Sequence, residues 1–342
     1  MLFEICGCIP KAISHIIWDV GGVRTDKDKV DPRICELTAE LESQGIYQSF
    51  ITGRDAEWLI NMEIQPLKEL GLFKMPHAMW LPELGLVHVD YEKEDFYIEP
   101  SLANHSLLQK KIRDELKKLS HNKETVMPWA TAEGYGLSYA KRLDANGKAF
   151  FVPHGGRSIE MSNYIWSEYK HASAAYEVWR DENGDFAAIG QDELLHFKSI
   201  IQAKLQELHC LHDIDIFLLQ SCISLWPKGI DKAWSAYQVL QSISERTGIS
   251  AEQITKKTLA FGDSASDLPF SSPKNMPEKS IVFAFVGPYV SWQAYENDSE
   301  LSRANVVIKS NAVRQKKDEP KGAKVTLEIM NYLMEKNYFT PL

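Results

Sequence analysis

The sequence has few cysteines, no long apolar run and no surplus of positive charge, and each shortage removes a class of protein. Five cysteines (Cys6, Cys8, Cys35, Cys210, Cys222) are scattered over 342 residues. An odd, dispersed set fits a reducing compartment better than a disulfide-stapled secreted chain. Cys6 and Cys8 lack a second cysteine pair nearby to complete a metal site. No stretch approaches the roughly 20 apolar residues that span a bilayer. The N-terminus has no basic segment leading into an apolar run and a small-residue cleavage site. The expectation is a cytoplasmic protein with no membrane partner. A net charge of −9 leaves no basic face to neutralise a nucleic-acid backbone, so no nucleic-acid partner is expected. A small phosphorylated substrate stays open, because a bound divalent cation supplies positive charge locally. Oligomeric state is not legible.

What is present is an ordinary globular composition, 44% apolar and 25% charged, in a chain long enough for two domains. His15 to Trp18 is a short apolar run delivering Asp19 to a glycine pair. It reads as a buried strand. Residues 32–44 have helical spacing and 46–51 read as a second strand. Residues 56–65 read as a second helix, with Pro66 expected to stop or kink it. Strand, helix, strand, helix with short connections predicts a parallel sheet covered on both faces. Between about 90 and 220 the pattern turns mixed, with a charged helix over 107–119, short strand-like pieces and another helix over 193–208. Turn signals lie at Asp144-Ala145-Asn146-Gly147 and at Asp181-Glu182-Asn183-Gly184-Asp185. The first pattern then resumes, with a helix over 231–247, strands over 258–261 and 280–286, a solvated lysine-rich loop over 313–323 and a closing helix over 325–336. There are no internal repeats. The predicted class is α/β: a Rossmann-like doubly wound core, residues 1–88 and 222–342, with an inserted α+β cap, residues 89–221.

Four segments carry chemistry: Trp18-Asp19-Val20-Gly21-Gly22, Ile51-Thr52-Gly53-Arg54, Lys228-Gly229-Ile230-Asp231-Lys232, and Gly262-Asp263-Ser264-Ala265-Ser266-Asp267. Ligands of open parallel sheets bind beyond the C-terminal strand ends, where Asp19, Thr52 and Asp263 are expected. A carboxylate can attack phosphorus and split the displacement into two easier steps. That attack brings anion onto anion. Asp263 and Asp267, with Asp19, suit Mg²⁺ as hard oxygen ligands, while Lys232 and Thr52 suit phosphate oxygens. Taken singly, each piece has a plainer reading as a turn, a helix cap or a solvated lysine. Their shared order and strand-end placement favour the site.

In these segments the chain resembles the haloacid dehalogenase superfamily, and more narrowly its branch with a large α+β cap, the Cof-type and sucrose-phosphate phosphatases. Pro82-Glu83-Leu84-Gly85 and the Lys-Gly segment at 228–229 add to the likeness. The resemblance implies Asp19 as nucleophile, Thr52 and Lys232 as phosphate-binding groups, and Asp19, Asp263, Asp267 and the Gly21 carbonyl as Mg²⁺ ligands. One departure stands out: Gly21 replaces the second carboxylate, which in the family protonates the leaving oxygen and activates water. Losing such a group slows turnover by about 10²–10⁴. A slowed phosphatase is the favoured reading. A catalytically silent phosphate binder, and chemistry on carbon–phosphorus or carbon–halogen bonds, are the alternatives.

For substrate contacts the sequence offers Gly53, Arg54 and, in the cap, His154 and Arg157 within Pro153-His154-Gly155-Gly156-Arg157, a turn suited to an anion. The aromatics Trp129, Tyr135, Tyr139, Tyr164 and Trp166 suggest a phosphorylated carbohydrate, although aromatics in strands are mostly core. His209, Cys210, His212 and Asp213 have metal-ligand chemistry, but a solvated helix end is the preferred reading.

Overall fold

The computed structural model describes residues 1–26, 29–119, 130–131, 139–143, 149–153, 164–167, 170–178, 191–218, 222–293 and 304–342. By internal contact the chain divides into two units. One comprises Met1–Gly53, Leu59–Phe96 and Ile230–Leu342, and the other Arg54–Trp58 and Tyr97–Gly229.

The first unit is built on a sheet whose strands, among the described residues, run in the order Phe3–Ile5, Val306–Ser310, Val282–Phe285, Thr258–Gly262, His15–Asp19, Tyr47–Ile51, Ala78–Leu81, Val87–Asp90 and Asp95–Ile98. The six from Val306–Ser310 to Ala78–Leu81 are parallel. Phe3–Ile5 and Val87–Asp90 pair antiparallel to the strands beside them. His15–Asp19, buried at every position, is central, as a near-continuous apolar strand of a doubly covered sheet should be. Alternate residues along it face opposite ways. Ile17 joins a core with Ile51, Leu240, Ile243 and Phe283. On the other side Trp18 donates Nε1 to Gln48 Oε1, whose amide reaches the Thr38 carbonyl in the helix Pro32–Ser43. Helices thus cover both faces, and the core is the expected α/β architecture.

One residue before the strand ends, aromatic rings line up across four neighbours. Trp18 stacks on Phe261 at 4.7 Å and Phe50 stacks on Trp80 at 3.9 Å, the register placing Trp18 beside both Phe261 and Phe50. This ladder is a rigid floor beneath the positions that follow.

Three details differ from the sequence reading. Pro66 does not stop the second helix. The α-helix Ala56–Leu59 passes into a π-helical turn, Ile60–Ile64, then into the helix Gln65–Glu69. Pro66 sits in the first turn of that last segment, directly after the π-helical turn, whose closing Gln65 N–H donates to the Ile60 carbonyl. Part of the supposed loop at 313–323 is helical, Asn311–Gln315, ending at the left-handed Lys316. The edge strand Phe3–Ile5 gave no pattern, because three residues are too few to show alternation.

The second unit is α+β. Its described strands form a sheet ordered Tyr164–Trp166, Ala174–Val178, Cys222–Pro227, Ile214–Leu218, and another ordered Ala149–Pro153, Tyr139–Leu143, Ala130–Thr131. The helices Lys110–Lys117 and Gln191–Glu207 accompany them. Leu116, Tyr176, Phe197, Ile201, Leu205, Ile223 and Leu225 make its core. Trp166 is a core residue here, edge-on to Tyr176 at 5.3 Å. Both Asn-Gly turns, Trp129 and Tyr135 lie outside the described residues.

Candidate active site

Asp19 is the last residue of its strand and is 7% exposed. The parallel register places Ile51 beside it, so Thr52, 3% exposed, follows at the neighbouring strand end. On the other flank, Thr258–Gly262 hands the chain to Asp263. Gly262 is required there, because a Cβ on it would lie 2.3 Å from the Asp267 Cβ.

Asp267 has two jobs, one per oxygen. Its Oδ2 accepts from the N–H groups of Asp263 and Ser264, each at 2.9 Å, and from Ser264 Oγ at 3.0 Å. This is the capping box of the short helix that follows. Its Oδ1 accepts from Lys232 Nζ, which also donates to Asp19 Oδ1 at 2.5 Å. The N-cap is Ser264 rather than Asp267, which serves the cap from the third helical position while its other oxygen meets Lys232. Lys232 opens the helix Lys232–Thr247, whose N-cap Asp231 accepts from the Trp234 N–H. The cap is Asp231, which frees Lys232 to lie 8% exposed between two carboxylates.

Ligand oxygens of Asp19, Asp263 and Asp267 all lie within 4.8 Å of one another, the one such acidic, histidine or cysteine group among the described residues. Burial, then the charge of Asp267, push the Asp19 carboxyl up to about 7, against the pull of Lys232. Burial, then Asp267 and Asp19, hold Asp263 well above the usual carboxylate range. Burial works against the charge on Lys232, yet the two carboxylates keep its pKa above the ordinary lysine value. Three carboxylates crowded on one ammonium in a largely dry place favour protons on Asp19 and Asp263 until a cation takes their place. The donor set is all hard oxygen, so both its charge and its chemistry fit a divalent cation such as Mg²⁺.

Gly22 adopts φ +71°, and a Cβ on it would sit 2.0 Å from Asp263 Oδ2. The loop after Asp19 thus packs directly on the second acid. Gly21 is the opposite case: a Cβ there would meet nothing within 4 Å.

Of the other residues singled out, Gly53 ends the first segment of the core unit. Arg54 groups with the second unit, its guanidinium 5.4 Å from the Trp58 ring. His154 and Arg157 lie outside the described residues. Arg24 turns inward and is fully buried. Cys210 is buried, and Asp213 accepts from Ser106 Oγ at 2.9 Å, as suits a structured helix end. Sequence reasoning passed over the Pro82–Gly85 turn as a link between site elements. Glu83 and Leu84 both take positive φ, 49° and 57°. The Leu84 N–H donates to the Thr52 carbonyl at 2.9 Å, and the Leu84 carbonyl accepts from Ser235 Oγ at 2.7 Å. The segment carrying Thr52 is so tied to the helix carrying Lys232. The signal for it was the glycine at 85 after a proline, which marks a turn but not its partners.

No family model matches the sequence, and no curated protein matches it. Solved structures do share its fold. A haloacid dehalogenase-like hydrolase from Bacteroides thetaiotaomicron superposes with a TM-score of 0.50 at 15% identity, covering 93% of this chain and 99% of that one. The C-terminal domain of trehalose-6-phosphate phosphatase from C. albicans gives 0.51 at 14% identity, with 93% and 92% covered. The fold is that of haloacid dehalogenase-like hydrolases, a Rossmann-like core with an inserted α+β unit.

Proposed function

We propose that this chain is a haloacid dehalogenase-type phosphohydrolase that acts on a small phosphate monoester with Mg²⁺ and is slowed by the absence of a carboxylate at position 21. The observation that carries the reading is the meeting of Asp19, Asp263, Asp267 and Lys232 in one buried cluster at parallel strand ends. A scaffold with no chemistry has no reason to crowd three carboxylates and a lysine there.

Asp19 is the nucleophile of this mechanism. Its carboxylate attacks phosphorus, the ester oxygen leaves, and water later hydrolyses the aspartyl phosphate. Lys232 and Thr52 hold phosphate oxygens, and Lys232 also keeps Asp19 aligned through its short hydrogen bond. Asp19, Asp263, Asp267 and the carbonyl of Gly21 would hold Mg²⁺, which when bound supplies charge neutralisation to the phosphoryl group. No side chain at 21 protonates the leaving oxygen or activates the water. Substrates whose leaving group departs without a proton are therefore favoured. Gly53 and Arg54, with His154 and Arg157, are the proposed substrate contacts, and a phosphorylated sugar is the proposed class, in keeping with the phosphatase from C. albicans that shares the fold.

Gly21 itself favours a second reading, a phosphate-binding relative without turnover. Phosphate release from a panel of sugar and small-acid phosphates separates the two. Turnover that is abolished by EDTA and by Asp19→Asn is expected. Folded chain that binds Mg²⁺ yet turns over nothing would favour the silent binder.

A further inference from the structure

The loop after Asp19 contains consecutive glycines, Gly21 and Gly22, and glycine surrenders more backbone freedom on ordering than any other residue. The loop nonetheless packs tightly on Asp263 through Gly22. What holds its far end is Arg24. That side chain and Glu63 are both fully buried. Arg24 Nε donates to the two Glu63 oxygens at 3.1 and 3.2 Å. Its Nη2 donates to Glu63 Oε2 at 2.8 Å and to Thr38 Oγ1 at 3.0 Å. The guanidinium also lies over two rings of the aromatic floor, 5.2 Å from Trp18 and 4.7 Å from Phe50. Its backbone closes the loop: the Arg24 N–H donates to the Val20 carbonyl at 3.2 Å, and the Arg24 carbonyl accepts from the Asp31 N–H at 3.2 Å. Glu63 comes from the π-helical turn Ile60–Ile64. Such turns insert one residue, re-aim the side chains that follow, and recur at functional sites.

A buried ion pair adds little stability, because desolvation offsets the attraction, and among the described residues Arg24 Nη1 has no hydrogen-bond partner. Stability alone therefore gives no reason for the pair. We infer that Arg24 and Glu63 are positioning residues, a buried clasp that fixes the Asp19–Arg24 loop in register with Asp263. The inference rests on the reading of Asp19, Asp263 and Asp267 as the metal site, and extends it to two residues that touch neither metal nor substrate.

The test compares wild-type chain with Glu63→Gln and with the double variant Arg24→Met/Glu63→Leu, reading amide hydrogen exchange and Mg²⁺ affinity by calorimetry. Two apolar side chains of similar size commonly replace a buried pair without loss of stability, so the double variant carries the test should Glu63→Gln fail to fold. Exchange at residues 20–25 is expected to accelerate at least tenfold while strand Val282–Phe285 keeps its protection, and Mg²⁺ to bind at least tenfold more weakly. Wild-type exchange at 20–25 in the double variant, or an equal loss of protection in both segments, overturns the inference. If wild-type chain binds no Mg²⁺, the metal-site reading fails, and the exchange comparison still decides whether the clasp positions the loop.

Discussion

At the scale of single residues the molecule turns on position 21. A Cβ there meets nothing within 4 Å among the described residues, so the first atom of a side chain is accepted at position 21. Gly21→Asp is expected to raise phosphate release by about 10²–10⁴, the usual worth of a general acid/base. The gain should be largest on alkyl phosphates, whose leaving oxygen needs a proton. Steady-state rates on paired alkyl and aryl phosphates measure it, and an unchanged rate would mean that position 21 is not the limit. The acids and Lys232 were legible in the sequence, because short motifs fix their chain spacing. What was not legible is how they share work. That Asp267 caps a helix with one oxygen and meets Lys232 with the other depends on the angle at which two segments converge, which no spacing encodes.

Among the elements, the strand His15–Asp19 carries its own pH dependence. His15 is fully buried, 2.8 Å from Ser49 Oγ and 3.1 Å from Thr258 Oγ1, and burial pushes its pKa down to about 3 from an ordinary 6.5. The native ring stays neutral while the unfolded chain takes a proton below about 6.5. The stability it contributes is thus complete above that pH and is lost as pH falls toward 3, at about 1.4 kcal/mol per unit. Asp19 and Asp263, with raised pKa values, act in the opposite sense, so the measurement is a difference. Urea unfolding of wild-type and His15→Gln chains at pH 7.5 and 5 is expected to show the smaller loss in the variant. Parallel slopes would contradict it. Long periodic elements such as Pro32–Ser43 and Lys232–Thr247 were readable from apolar spacing, whereas the caps Asp231 and Ser264 emerged only in the structure. The π-helical turn was not. One inserted residue leaves the amphipathic pattern of 56–65 nearly intact, and Glu63 reads as a surface acid until Arg24 is seen opposite it.

For the whole molecule, the two-part architecture followed from the change of pattern near residue 90 and its return after 220, a contrast between long-range periodicities rather than local ones. The pairing of Tyr139–Leu143 with Ala149–Pro153 was legible from the turn signal between them, whereas the placing of Ala174–Val178 between Tyr164–Trp166 and Cys222–Pro227 was not, since it joins residues far apart. The proposed metal site of Asp19, Asp263 and Asp267 would also make global stability depend on a cation. Mg²⁺ at a hundred times its dissociation constant should stabilise the fold by about 2.7 kcal/mol. The urea midpoint should rise with Mg²⁺, fall back with EDTA, and stay fixed in Asp263→Asn.

The most direct test of the central claim is capture of the phosphorylated chain. An aryl phosphate with a good leaving group can phosphorylate Asp19 without a proton donor, whereas hydrolysis of the product still lacks a base at position 21. Acid-quenched mass spectrometry after mixing with p-nitrophenyl phosphate and Mg²⁺ is expected to show one phosphoryl group on the peptide carrying Asp19, absent in Asp19→Asn and with EDTA. No phosphoryl adduct and no nitrophenolate at any Mg²⁺ concentration would contradict the account and leave a protein that holds phosphate without transferring it.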